Sequence, residues 1–226
     1  MKKYAAVLYC LMALFAAGCS PAADQAATTQ PMTTIRESTM TTTVITTTTS
    51  AATSTITTTV TTTTLPAELP EALENPRIVV RKGERQLVLW DGATLCARYP
   101  IALGFAPQGH KAQEGDGRTP EGEYYVCTRN GKSKFYLSLG LSYPNQRDAE
   151  AALEKGLIDQ TAFEQIASAI EQGKRPPWDT PLGGAIMIHG MGIEGDWTHG
   201  CIAVDNEVMD ILWKLCPLGT QVTVLP

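Results

Sequence analysis

The stretch Arg77–Gly104, RIVVRKGERQLVLWDGATLCARYPIALG, decides the class of the folded part of this chain. Apolar and polar residues alternate along it in successive runs, and the dipeptides Lys82-Gly83 and Asp91-Gly92 interrupt those runs. A period of two punctuated by tight-turn residues is the signature of antiparallel strands, so the stretch reads as a β-hairpin or meander.

Downstream, GDGRTPEGEYYVC (Gly115–Cys127) holds Gly115, Gly117, Pro120 and Gly122, a turn-rich loop that feeds a strand over Glu123–Thr128. The period changes in DAEAALEKGLIDQTAFEQIASAIEQG (Asp148–Gly173). Ala152, Leu153 and Leu157, then Phe163, Ile166, Ala167 and Ile170, fall at helical spacing with a break at Gly156, which predicts two short inserted helices. AIMIHG (Ala185–Gly190) returns to strand. NEVMDILWKL (Asn206–Leu215) predicts a helix whose apolar face is Val208, Ile211, Leu212 and Leu215, and GTQVTVLP closes the chain as a strand. Residues 76–226 therefore predict one mainly β domain with inserted helices, large enough to bury its own core.

Upstream of that domain the chain changes character. MKKYAAVLYCLMALFAAGCS opens with two lysines and an apolar run from Tyr4 to Ala17, short for a stable membrane span. Ala16, Ala17 and Gly18 ahead of Cys19 resemble the lipobox of bacterial lipoproteins. Residues 1–18 are thus expected to be a signal peptide and Cys19 a lipidated anchor to the extracytoplasmic face of a membrane in the cell envelope. From Thr28 to Thr64 the sequence is mostly threonine and nearly uncharged, too poor in apolar area to offset its ordering entropy. Residues 19–75 are read as a tether, on the order of 40 Å long as a coil. With 18 Lys and Arg against 23 Asp and Glu, a formal charge of −5, and no basic cluster, a nucleic-acid partner is excluded.

The chemistry is concentrated in GDWTHGC (Gly195–Cys201), with His189 twelve residues before Cys201. A thiol becomes a nucleophile when a base or a positive charge favours the thiolate. His189 stands at the end of a predicted strand and Cys201 at the end of the loop after it, a connectivity that can bring the two together. Gly200 permits a sharp backbone turn, which would let the amides near Gly200 and Cys201 face a developing oxyanion. His199 is a candidate either for tuning the thiol or for a place on the surface, and Trp197, Thr198 and Tyr143 are candidates for lining a substrate groove, with packing the leading role for Trp197 and Tyr143. A merely buried thiol fits poorly with flanking Gly, His and Thr. A zinc site of His189, His199 and Cys201 has uncommon spacing and no evident fourth ligand, so no metal or organic cofactor is expected.

The pattern IHG followed by THGC, with GDGRTPEGEYYV upstream, resembles the bacterial L,D-transpeptidase family. The resemblance extends over nearly all of residues 77–226, and LSYPNQRDAEAALEKGLI, TPLGGAIMIHGMG and DWTHGCIAVDN look like its murein-processing branch. It implies a β-sandwich-like catalytic domain with Cys201 as nucleophile and His189 as general base. It further implies attack on a peptidoglycan stem peptide between a diamino acid and the terminal D-alanine, with an acyl-enzyme resolved by an amine. Water as acceptor would make the protein a carboxypeptidase or an amidase that releases wall-linked protein. Many members follow the glycine-cysteine pair with a hydrophobic residue and then Arg or Asn, whereas here Ile202 precedes Ala203. A sortase-like enzyme also runs histidine before cysteine but needs a later arginine, and none follows Arg175. A catalytically silent wall-binding lipoprotein would not need both His189 and Cys201. Because a catalytic thiol must stay free, at most one disulfide is expected among Cys96, Cys127 and Cys216.

Overall fold

The computed structural model describes residues 69–226; the signal segment, Cys19 and most of the threonine-rich tether lie outside them. The elements are β1 (Pro76–Arg81), β2 (Gln86–Asp91), β3 (Thr94–Pro100), β4 (Gly122–Ser133), β5 (Tyr136–Leu141), α1 (Gln146–Glu154), α2 (Gln160–Glu171), β6 (Met187–His189), β7 (Ile202–Ala203), α3 (Asn206–Leu215) and β8 (Gln221–Leu225). The quoted stretch forms the antiparallel meander β1-β2-β3, turning at the two glycine dipeptides. Alternation sorts its side chains. Ile78, Val80, Leu87 and Leu89 enter the main core, while Val79, Val88 and Leu95 make a small cluster on the opposite face with Trp90. Leu69 and Leu73 already pack against the main core, so ordered packing reaches upstream of the expected boundary at residue 76.

All eight strands form one sheet in the order β3-β2-β1-β8-β4-β5-β6-β7. The last strand of the chain, β8, lies in the middle, parallel to β1 and antiparallel to the start of β4. The twelve-residue β4 pairs β8 through its first half and β5 through its second, with register shifts at Val126/Thr128 and Asn130/Ser133. Such irregularities bend a sheet. The bend is closed by a tie between its two ends: Ala102, just past β3, exchanges backbone hydrogen bonds of 3.0 and 2.9 Å with Ala203 of β7, and Gly104 bridges to Thr198. The architecture is a curled, mainly β sheet with few helices.

β5, absent from the reading of the sequence, is a full strand, and the β4–β5 hairpin turns through Lys134 and Phe135. The helical insertion has its own core of Ala149, Ala152, Ile158, Ile166 and Leu182. Asn145 starts α1 in a reciprocal capping box with Asp148, and Asp159 caps α2 through the Ala162 amide. The helix α3 buries Met209, Leu212 and Leu215, with Val208 and Ile211 only partly covered, so its inward face is rotated slightly from the one expected. Among the described residues no helix is long and apolar enough to cross a membrane.

Candidate active site

β6 and β7 lie side by side and parallel, with Ile188 opposite Ile202 and His189 opposite Ala203. Ile188 and Ile202 are fully buried on the core face. By alternation the residues either side of them, His189 on β6 and Cys201 at the entrance to β7, share the other face. His189 is 1% exposed, and its Nδ1 lies 2.7 Å from the Gly190 carbonyl oxygen. A carbonyl only accepts, so Nδ1 carries the proton and Nε2 keeps a free lone pair. The peptide that supplies this carbonyl is itself held, because the Met191 amide donates to Asn206 Oδ1 at 2.9 Å. Burial holds the His189 pKa below its ordinary value, against the pull of the Gly190 carbonyl.

The Cys201 thiol is half-buried. Its Sγ accepts from the Met187 amide at 3.4 Å and donates to the Ala185 carbonyl at 3.6 Å, and these backbone groups, not the imidazole, are its partners in this structure. Burial pushes its pKa up, while the Met187 amide and the Lys111 ammonium oppose the shift. Burial thus favours the uncharged form of each group, the thiol of Cys201 and the neutral imidazole of His189.

The loop that carries the thiol is braced internally. Thr198 is 2% exposed; its hydroxyl donates to the Cys201 carbonyl at 2.7 Å and accepts from the Gly200 amide at 3.1 Å. Thr198 is thus a buried brace of the turn that presents the Cys201 thiol. The Gly200 amide, expected to face an oxyanion, is committed to that hydroxyl. Gly200 sits at φ +124°, and a Cβ there would come 2.6 Å from the Arg118 carbonyl oxygen. A Cβ on Gly104 would meet the Gly117 carbonyl oxygen at 2.1 Å and the Gly200 Cα at 3.0 Å. The glycines let three backbone segments touch at the thiol. Asp196 fastens the same loop to the meander, binding the Leu103 amide at 2.9 Å and Arg85 at 2.6 Å.

Trp197 is 37% exposed beside His189, edge-on at 5.5 Å between ring centres, and its indole donates to the Gly192 carbonyl. His199 is exposed and packs edge-on against Phe105, with no hydrogen-bond partner among the described residues. Tyr143 is fully buried in the main core, with its hydroxyl donating to the Leu182 carbonyl at 3.2 Å, and so lines no groove. Ala203 is likewise fully buried, its backbone committed to Ala102.

Several contributors had no motif to announce them. Phe135, at the β4–β5 turn, stacks on the His189 ring at 4.7 Å and 23°. Trp178 lies over Gly140 and Gly184, where a Cβ would come within 3.3 and 2.4 Å of its ring, and so walls the end of the face near Met187. Lys111, 3% exposed, pairs with Asp116 at 2.9 Å, and Asp116 also accepts the Ala112, Gln113 and Arg118 amides, which shapes GDGRTPEG into its turn. Lys82, 2% exposed, joins the far end of that loop to the segment before it, donating to the Gly109 and Thr119 carbonyls and to the Glu121 carboxylate.

Cys96, Cys127, Cys201 and Cys216 are all free thiols, and among the described residues no cluster of three or more His, Cys, Asp or Glu side chains is placed to hold a metal ion. Among solved structures, the chain is similar to an L,D-transpeptidase (residues 123–326) from Xylanimonas cellulosilytica, at 15% identity and a TM-score of 0.40, covering 69% of this chain and 63% of that one. It is also similar to Bd1075 from Bdellovibrio bacteriovorus (20% identity, TM-score 0.44, covering 68% and 48%). A third is the helical cell shape determining protein Pgp2 from Campylobacter jejuni (20%, 0.42, 67% and 48%). The chain spans less than two thirds of each of these proteins. No curated protein matches it. The model of the L,D-transpeptidase catalytic domain, YkuD, matches residues 75–224, and the chain belongs to that family.

Proposed function

We propose that the protein is a cell-envelope enzyme that performs acyl transfer on peptidoglycan stem peptides, with Cys201 as nucleophile and His189 as general base. The observation that supports this most directly is the shared face of β6 and β7, where a buried imidazole with its Nδ1 proton fixed on Gly190 leaves Nε2 free on the same face as the Cys201 thiol. In this reading the thiol leaves the Ala185 carbonyl, turns to the ring and gives its proton to Nε2. Sγ bonds to the carbonyl carbon between the diamino acid and D-alanine. As the tetrahedral intermediate collapses, the carbon–nitrogen bond breaks, and the proton held on Nε2 passes to the departing D-alanine amine. An acceptor amine then gives its proton to His189 and attacks the thioester carbonyl, and the released thiolate takes that proton back. Neither half-reaction needs a metal or cofactor. The signal and Cys19 support a lipid anchor, with the threonine-rich tether giving reach to the wall.

Incubating the full chain with purified sacculi and measuring muropeptides by mass spectrometry tests the reaction. New cross-links with loss of D-alanine are expected; tripeptide stems without cross-links would show water to be the acceptor, and unchanged muropeptides would overturn the proposal. A carbapenem should add its mass to the wild-type chain. A folded Cys201→Ala chain that still gained that mass would sink the nucleophile assignment.

A further inference from the structure

A general base works only if its ring is held in the right plane, and hydrogen bonds through Nδ1 leave rotation about that axis open. The ring of His189 is held on its face by Phe135, stacked at 4.7 Å and 23°, and on its edge by Trp197 at 5.5 Å, the two aromatics themselves 5.8 Å apart. Phe135 does not belong to the main core. It is half-buried at the tip of a hairpin, a place where Gly, Asn or Asp is the usual choice and a large aromatic is not called for by the turn itself. Its backbone points the same way: its carbonyl accepts the Gly190 amide at 3.1 Å, next to the carbonyl that holds Nδ1. The tip is itself pinned, since Tyr136 donates from its hydroxyl to Asp210 of α3 at 2.9 Å.

We propose that Phe135 is a positioning residue of the reaction: its ring fixes the plane of the His189 imidazole and shields one face from water, so that Nε2 stays presented to the Cys201 thiol. The proposal rests on reading His189 as the base. The charged and titratable groups on the elements around the ring are the Cys201 thiol at the entrance to β7, the Lys134 ammonium 5.0 Å from the Phe135 ring, and Asp205, Glu207 and Asp210 at the start of α3 and along it. None of them supplies a stacking surface.

The test is a double-mutant cycle on carbapenem acylation by the full chain, read by intact mass, with circular dichroism to confirm folding. Phe135→Leu keeps an apolar side chain and removes the plane; it should slow acylation by about tenfold or more, and Phe135→Tyr should restore the rate. In a His189→Ala background the same Phe135→Leu change should alter the rate by less than about twofold, because its effect passes through the ring. An equal loss in both backgrounds, or no loss in either, overturns the proposal. If Phe135→Leu does not fold, Phe135→Met takes its place.

Histidine NMR on the resting protein decides the point independently of any chemistry. Phe135→Leu should move the His189 pKa up toward the free imidazole value of about 6.5 and change the ring shifts. Unchanged titration and shifts would overturn the positioning role. A wild-type chain that formed no adduct would count against the reading of the reaction, and the NMR result would still decide the role of Phe135.

Discussion

The Thr198 hydroxyl stands 2.7 Å from the Cys201 carbonyl oxygen and 3.1 Å from the Gly200 nitrogen, so one buried side chain closes the turn that presents the thiol. Thr198→Val keeps the shape and leaves both backbone groups without that partner. It should destabilise the protein by about 1–3 kcal/mol, the cost of an unsatisfied buried polar group, and lower the carbapenem acylation rate. Thr198→Ser should retain most of both. Denaturant midpoints and adduct rates measured on the two variants check this.

On the proposed reading, with His189 as the base, burial of its ring gives acylation an acid limb. Protonated Nε2 cannot accept the thiol proton, and burial lowers the ring pKa, so acylation should fall with decreasing pH at a midpoint below about 6.5. Stability follows the same sign. The unfolded chain binds this proton more readily than the folded one, so the ring's contribution is whole above the unfolded pKa and is lost as pH falls toward the folded value. Adduct rates and urea midpoints between pH 4.5 and 8, on wild type and His189→Ala, should show the slope only in the former.

Two glycines of the same loop should respond differently to alanine. At Gly200 a Cβ would stand 2.6 Å from the Arg118 carbonyl and φ is +124°, so Gly200→Ala has to displace backbone at the thiol. At Gly195 nothing lies within 4 Å and φ is +74°, so only backbone strain of about 1 kcal/mol applies. Gly200→Ala is expected to abolish adduct formation and Gly195→Ala to preserve it.

The anchor is tested by fractionation. Wild-type protein should partition with membranes and Cys19→Ala should not; a Cys19→Ala protein found wholly with membranes would remove the lipid from the account.

How much of this was legible depended on the range of the interactions. The meander β1-β2-β3 and the break between α1 and α2 were readable, because alternation, Asp91-Gly92 and Gly156 are local signals. β5 escaped although Leu137, Leu139 and Leu141 alternate with Ser138 and Gly140, because the run is short and its alternate positions are a serine and a glycine, which are weak strand formers; with it went the hairpin tip that brings Phe135 onto His189. The motif around Cys201 named the residues but not their partners. Thr198 looked like a groove residue and proved to be a brace, since only the folded loop shows where its hydroxyl ends. Packing was the leading reading for Tyr143, but the carbonyl that satisfies its hydroxyl lies thirty-nine residues away and has no local signal. The parallel pairing of β6 and β7 has no local signature at all, because each strand is only two or three residues long.

The tie between Ala102 and Ala203 has a consequence for how the molecule comes apart. It joins the two extreme ends of the sheet order one residue beyond Ile202, itself adjacent to Cys201. Opening the sheet at either end therefore breaks this pair and disturbs the thiol loop in the same event. The amide protons of Ala102 and Ala203 should exchange with solvent at the rate of global unfolding rather than by local fraying. The thiol loop and the sheet are then expected to lose their structure together, as one cooperative unit.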